Sequence, residues 1–227
     1  MADIATIAEI GTAVGTLFLG AATFASVRSA NRAARVAERS LLLQLRPVLV
    51  TARYEDPDAK VLFGDGRKFR VVAGTGLFNV TEEIVYLAIP LRNSGTGLAV
   101  LQGYDVIVGD FVQDAYRVPE PGVLDRQQRH YQAIENFRVQ QRDIYIAPGD
   151  TGYWHAAFRD ASEGLHANLK TAHAKRESIS IDLLYGDHEG GQHAVSRFVL
   201  LPIDDGRWLC NVVFHWKIES RDPRDPE

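Results

Sequence analysis

The feature that most constrains this chain is a run of eighteen uncharged residues near its N terminus, residues 10–27. As an α-helix this run is about 27 Å long, close to the roughly 30 Å of a bilayer's hydrocarbon core. Its side chains are apolar or small all round, which favours lipid or a helix bundle over a membrane surface. We therefore predict a transmembrane helix here, with a buried core helix as the alternative.

The charges on either side of this run predict its orientation. No Lys or Arg precedes it, whereas Asp3 and Glu9 do, which argues against a cleaved signal peptide. The positive-inside rule places the arginine-rich C-terminal side in the cytoplasm. We predict a single-pass protein of the inner cell membrane with its N terminus outside. Four arginines on one helical face are expected to lie at the membrane surface against anionic lipid: Arg28, Arg32, Arg35 and Arg39.

Small residues in the same run predict helix packing. Gly11 and Gly15 are four residues apart, a spacing that lets two helix backbones approach closely. A homo-oligomer through the N-terminal helix is one outcome, and packing on the chain's own β domain is the other. Pro47 ends the helix, because the residue before a proline avoids the helical conformation. The transmembrane helix and its basic stalk thus take up residues 1–46.

Residues 47–220 are predicted to form a mainly β domain, an antiparallel, Ig-like β-sandwich. Runs rich in β-branched residues recur between turn sequences such as Gly64-Asp65-Gly66. One helix is predicted at residues 160–175, with Leu165, Leu169 and His173 on one face. Residues 221–227 are predicted as a disordered tail. The predicted strands are residues 48–54, 68–73, 84–92, 99–108, 138–146, 152–158, 179–185, 194–201 and 208–218.

One polar segment is predicted to leave the sandwich. Residues 119–141 are rich in Gln and Arg but keep several apolar side chains. We expect a long, ordered loop, and binding residues are often carried on such loops.

Charge and cysteine content exclude two classes of protein. The chain has a net charge of −4, and its N-terminal 46 residues are positive, so the β domain is acidic. Nucleic-acid binding is not expected, because it requires clustered Lys and Arg. Cys210 is the only cysteine, so no intrachain disulfide forms, which suits a reducing, cytoplasmic location. We expect Cys210 to be a small buried apolar residue.

Motifs for catalysis, cofactors and metals are weak. His188 and His193 are five residues apart rather than four and enclose two glycines, so a hairpin turn is predicted instead of a zinc helix. The metal-ligand candidates are Asp187, His188 and His193. Gly95-Thr96-Gly97 begins a dinucleotide fingerprint, but a strand is predicted to follow it, and no cofactor is expected. No Gly-x-Ser-x-Gly elbow is present, so no enzyme is predicted.

The order of features along the chain is distinctive. A predicted span and a basic helix lead through Arg46-Pro47 into a strand. Residues 91–99 then read Leu-Arg-Asn-Ser-Gly-Thr-Gly-Leu-Ala, and residues 185–190 read Tyr-Gly-Asp-His-Glu-Gly. This order, over most of the chain, resembles a loose group of uncharacterised bacterial membrane-tethered β-sandwich proteins. The resemblance implies the anchored architecture and supplies no activity.

These observations lead to two hypotheses of function. The first is a membrane-tethered, non-enzymatic interaction or scaffold domain, with the lipid bilayer and another protein as its partners. The second is a membrane-anchored sensor that binds a metal or a small ligand at residues 187–193 or 119–141 and shifts the helical stalk. An enzyme of undetermined class ranks last.

Overall fold

A computed structural model of the protein describes residues 4–109, 137–190 and 192–218. The chain divides into two compact units, residues 1–44 and residues 45–227. The first unit contains one helix, α1 (Ile4–Gln44). The side chains of residues 4–13, 39, 42 and 43 lie outside the described part of the structure.

Helix α1 covers the predicted transmembrane and stalk region and ends three residues before Pro47. Its described apolar side chains are exposed, Leu17 and Phe18 each to 74%. Within the part of the chain that the structure describes, no helix is long and apolar enough to cross a membrane. Residues 10–13 of the predicted span are among those whose side chains are not described. The transmembrane character of α1 stays a prediction.

The second unit consists mainly of antiparallel β-strands with one helix, α2 (Gly164–Lys175). This confirms a mainly β domain after an N-terminal helix. The strands are β1 (Leu49–Thr51), β2 (Ala59–Leu62), β3 (Lys68–Val71), β4 (Thr75–Val80), β5 (Val85–Asn93), β6 (Ala99–Val108), β7 (Arg138–Val139), β8 (Tyr145–Ile146), β9 (Thr151–Phe158), β10 (Ile179–Gly186), β11 (His193–Pro202) and β12 (Trp208–Ile218).

Ten strands join in one sheet with the order β1-β5-β4-β12-β11-β10-β6-β7, in which β8 also pairs with β6 and β9 with β5. Strands β4 and β12 meet through two residue pairs, Trp208 with Gly76 and Leu209 with Thr75. This narrow junction separates a first half, β9-β5-β4 with β1, from a second half, β6-β10-β11-β12. Strands β2 and β3 form a separate hairpin.

The main core is built from both halves of the sheet, with Ile89 and Trp154 from the first and Ile181 and Phe198 from the second. Full burial of such side chains stabilises the fold by about 1.5–3 kcal/mol each. Strand β5 is buried on both faces, because Tyr86 packs in a second cluster beneath the β2–β3 hairpin. The strand therefore reads as an almost continuous apolar run rather than an alternating one.

Several predictions made from the sequence need correction. Residues 138–146 form two short strands, β7 and β8, because the chain turns between them at Asp143, whose φ of 54° is left-handed. Strands β2 and β4 were not predicted. Helix α2 begins at Gly164, four residues after the predicted start. The predicted tail, residues 221–227, and most of the polar segment, residues 119–136, lie outside the described residues.

Candidate functional site

The four residues that follow α1 in the chain, residues 45–48, lie against the loop of residues 93–97 between β5 and β6. Ser94 donates its backbone N–H to the carbonyl of Val48 at 2.8 Å, and Thr96 donates to the carbonyl of Arg46 at 3.1 Å. We name this arrangement, loop 93–97 holding segment 45–48, the helix-exit clamp. It fixes the place where the chain enters the β domain.

Asn93 is the central side chain of the clamp and is fully buried. Its Oδ1 accepts the backbone N–H groups of Val48 at 3.2 Å and Gly95 at 3.0 Å. Its Nδ2 donates to the carbonyls of Gly97 at 2.7 Å and Ile146 at 3.0 Å. These four bonds use both donors and both acceptor positions of the amide. One side chain thus joins the chain entry, the loop and β8.

Two glycines allow the close approach of the loop to segment 45–48. A Cβ atom on Gly97 would lie 1.7 Å from the carbonyl oxygen of Leu45, and one on Gly95 would lie 2.3 Å from that of Arg46. Only a residue without a side chain fits at such distances. The loop continues directly into β6, so the structure gives the Gly95-Thr96-Gly97 motif a packing role and places no helix after it.

A polar network, made of Arg46, Tyr185, Ser196 and His215, continues from the clamp into the sheet. Arg46 Nη2 lies 3.0 Å from His215 Nε2. On the other side of the ring, Nδ1 lies 3.0 Å from Ser196 Oγ and 3.2 Å from Tyr185 OH. Tyr185 OH and Ser196 Oγ are 3.0 Å apart. The network thereby joins Arg46 to β10, β11 and β12.

The first residue of β1 is attached to the same network. The backbone N–H of Leu49 donates to Tyr185 OH at 3.2 Å, and Ser196 Oγ donates to the carbonyl of Leu49 at 3.3 Å. Clamp and network therefore hold the entry segment and β1 from two directions.

The contact with Arg46 determines which ring nitrogen of His215 carries the proton. A guanidinium group can only donate hydrogen bonds, so Nε2 is the acceptor and the ring proton sits on Nδ1. Nδ1 then donates toward Ser196 Oγ, which leaves no basic nitrogen to take the serine proton. Ser196 is also fully buried. This serine and histidine are arranged for structural hydrogen bonding and not for nucleophilic catalysis.

The surroundings of His215 favour its neutral form. Burial lowers its pKa first, and the positive charges of Arg46 and Lys217 lower the pKa further. Because the unfolded chain binds a proton at this histidine more readily than the folded chain does, folding is opposed at low pH. The stability that neutral His215 contributes is therefore fully present above about pH 6.5. This contribution is lost as the pH falls through the lowered pKa that His215 has in the folded state.

Replacing His215 with glutamine is expected to flatten this pH dependence, because glutamine still accepts from Arg46 but does not titrate. Between about pH 6.5 and 5.5 the variant should lose less stability than the native chain, by at most about 1.4 kcal/mol per pH unit for one proton. Urea unfolding at each pH measures the difference. Asn211→Ala, at an exposed position of the same strand that carries no titratable group, is the control and should keep the native slope. Equal slopes in all three proteins would contradict the assignment.

The predicted membrane-surface and helix-packing residues lie on α1. Arg28, Arg32 and Arg35 are exposed, and the side chain of Arg39 is outside the described part. A Cβ added at Gly15 would meet no atom within 4 Å, so this position is open. Gly11 lies in the helix among the residues whose side chains are not described.

The metal-ligand candidates do not converge on a site. Asp187 is buried, His193 is half-buried, and His188 is exposed and pairs with Glu189 at 3.2 Å. Over residues 4–109, 137–190 and 192–218, no group of three or more His, Cys, Asp or Glu side chains is placed to hold a metal ion. Gly186 pairs with His193 across the β10–β11 hairpin, which confirms the predicted hairpin turn. Cys210 is buried as expected, and burial raises the pKa of its thiol.

Sequence reasoning found the loop of the clamp but missed the network. Ser196 and His215 are opposite each other in the β11–β12 register. The sequence signal that could have indicated the network is a polar residue, such as Ser196, at an inward-facing position of an otherwise apolar strand.

No protein-family model matches this chain, and no curated protein or solved structure matches it significantly. The resemblance to membrane-tethered β-sandwich proteins therefore stays a prediction.

Proposed function

We propose that this chain is a membrane-tethered, non-enzymatic interaction domain. Helix α1 is the tether, inserted in the inner membrane with its N terminus outside. The two halves of the sheet pack as an Ig-like sandwich in the cytoplasm and present a surface to a protein partner.

The observation that carries the proposal is the distribution of exposed apolar side chains on α1. Leu17, Phe18, Leu19 and Val27 are more than half exposed, and at 100° per residue they point to all sides of the helix. A helix with one apolar stripe would suit a single partner surface, whereas apolar side chains all round suit lipid or a bundle of helices. A bundle would require helices from other chains, whereas lipid would cover these side chains without any other protein.

The arginines strengthen this proposal because they begin where the apolar part ends. Arg28, Arg32 and Arg35 are exposed and follow Val27 directly. Near an anionic membrane surface each basic residue adds about 1 kcal/mol of attraction. A second copy of α1, packed through Gly11 and Gly15, is the other proposed neighbour.

The helix-exit clamp is what a tethered domain needs at its point of attachment. Segment 45–48 is held by a fully buried asparagine, two close-packed glycines and the Arg46–His215 contact. A plain flexible linker requires no such contacts. The tether therefore joins the domain at a fixed point.

Two features support an interaction role: a serine that is not activated as a nucleophile, and a strand edge without a strand partner among the described residues. Ser196 faces a histidine nitrogen that already carries a proton. Strand β9 pairs with β5 along one edge, and its other edge has no strand partner within the described part of the chain. Unpaired strand edges are sites where other chains add by β-augmentation.

The test is the location of the C terminus together with carbonate extraction of the membranes. A reporter fused after Glu227 should be cytoplasmic, and the protein should resist extraction. Phe18→Arg places a charge near the middle of the predicted span at a cost of about 3 kcal/mol, and should release the protein. Val36→Arg is the matched control, because Val36 is also exposed on α1 but lies beyond the span. Release of the native chain would contradict the proposal.

A further inference from the structure

Between β9 and the β6–β8 region the domain has a cleft of about 530 Å³. Part of its wall is Arg138 to Gln141, which is the described end of the polar segment that the sequence singled out for binding. The charged residues that line it are Arg138, Arg142 and Arg159. No Asp or Glu is among the described lining residues, although the domain as a whole is acidic. The arginines of the lining thus bring only positive charge, and their acidic partners lie outside the lining.

The three arginines differ in how far their charge is already balanced. Arg138 pairs with Glu163 at 2.7 Å and Arg159 with Asp65 at 3.7 Å, both close to the cleft. Arg142 makes no side-chain hydrogen bond or ion pair with any residue that the structure describes. Of the three guanidinium groups in the cleft, that of Arg142 therefore has the fewest partners among the described residues.

The turn that carries Arg142 is braced from both sides. Asp143, in the left-handed conformation, lies 3.1 Å from His155 Nε2 of β9 through its Oδ2. Gln140 is buried, donates its side-chain amide to the carbonyl of Arg142 at 2.8 Å, and donates its backbone N–H to Gln102 at 2.9 Å. A charged group held in this way loses less conformational freedom when it binds.

One further hydrogen-bond donor lines the same cleft. Tyr104 lines the cleft, and its hydroxyl has no hydrogen-bond partner among the described residues. Trp154 packs edge-on against the Tyr104 ring, with centroids 5.0 Å apart. The Tyr104 hydroxyl and the Arg142 guanidinium can both donate to a ligand rich in acceptors.

We propose that this cleft binds a small soluble anion that carries carboxylate or phosphate groups. Arg142 supplies the main contact, since guanidinium groups bind both kinds of oxyanion in a bidentate way. Arg159 adds positive charge, and the Tyr104 hydroxyl donates a hydrogen bond. The inference goes beyond the tether and gives a ligand class to the sensor hypothesis. It stands whether or not α1 enters a membrane.

The test is isothermal titration of the full chain, purified in detergent, with pyrophosphate and with citrate at constant ionic strength. Saturable binding of at least one probe is expected, and the preferred probe distinguishes a phosphate from a carboxylate ligand. Arg142→Gln should weaken binding about tenfold and Tyr104→Phe about threefold. Arg53→Gln is the matched control, because Arg53 is also exposed and lies outside the cleft, and its affinity should stay within about twofold of native.

Three outcomes would overturn the inference. The first is no saturable binding of either probe at millimolar concentration. The second is an equal loss in Arg142→Gln and Arg53→Gln, which would indicate only diffuse attraction to surface charge. The third is Arg142-dependent binding to phosphatidylserine vesicles without binding to either free anion, which would assign the cleft to a lipid headgroup. Unchanged thermal unfolding of Arg142→Gln shows that a loss of binding is not a loss of fold.

Discussion

Asn93→Ala is expected to lower the free energy of unfolding of the β domain by about 4 kcal/mol. The variant removes four hydrogen bonds of a fully buried side chain. It leaves the N–H groups of Val48 and Gly95 and the carbonyls of Gly97 and Ile146 without these partners. Each such buried polar group costs about 1–3 kcal/mol when it is not satisfied, and local relaxation recovers part of that cost.

Urea unfolding followed by tryptophan fluorescence measures this change, since Trp154 and Trp208 are both buried. Asn211→Ala is the matched control: Asn211 is exposed on β12, and its loss should cost less than about 0.5 kcal/mol. The entry segment should also become sensitive to protease in Asn93→Ala. An effect as small as that of the control would show that Asn93 is a turn residue only, as its sequence context alone suggests.

The sequence predicted well those elements whose signal is local. Residues 99–108 and 208–218 form strands with the predicted ends, β6 and β12. The apolar stripe predicted for residues 160–175 identified α2, where Leu169 is fully buried. In that helix, however, His166 is buried and bonds to the carbonyl of Glu83 at 3.0 Å, while His173 is half-buried.

Strand β4 was not predicted because its Gly76 is required by a contact with a distant part of the chain. A Cβ on Gly76 would lie 2.3 Å from Leu200 Cδ2, so the glycine admits a core side chain of β11. In the sequence the same residue, close to Gly74, looks like part of a turn. The contact with Leu200 spans more than a hundred residues of the chain, and no local pattern reveals it.

The candidate site was missed for a related reason. The bonds of Asn93 join three segments that are far apart in sequence. Ser196 and His215 meet only because β11 and β12 pair in one particular register, and sequence periodicity gives the face of a strand without giving its register. Local chemistry predicted the turn at residues 93–97, whereas the role of that turn follows from which segment packs against it.

Gly97→Ala is expected to destabilise the domain by about 3 kcal/mol, near the upper end for overpacking a well-ordered site. The new Cβ would lie 1.7 Å from the carbonyl oxygen and 2.3 Å from the carbonyl carbon of Leu45. Both atoms belong to the backbone, so no side-chain rotation relieves the clash, and either segment 45–48 or the loop must shift. For a domain of this size the melting temperature should fall by about 6–12 °C.

Gly64→Ala is the matched control for Gly97→Ala, because a Cβ at Gly64 would meet no atom within 4 Å. Its melting temperature should stay within about 2 °C of the native value. If α1 is the tether, Gly97→Ala should still resist carbonate extraction, since the substitution lies outside the predicted span. Native stability in Gly97→Ala would mean that segment 45–48 is not held against the loop, and the fixed point of attachment would be lost from the proposed function. A loss of stability with intact membrane retention would separate the clamp, which acts within the β domain, from the tether.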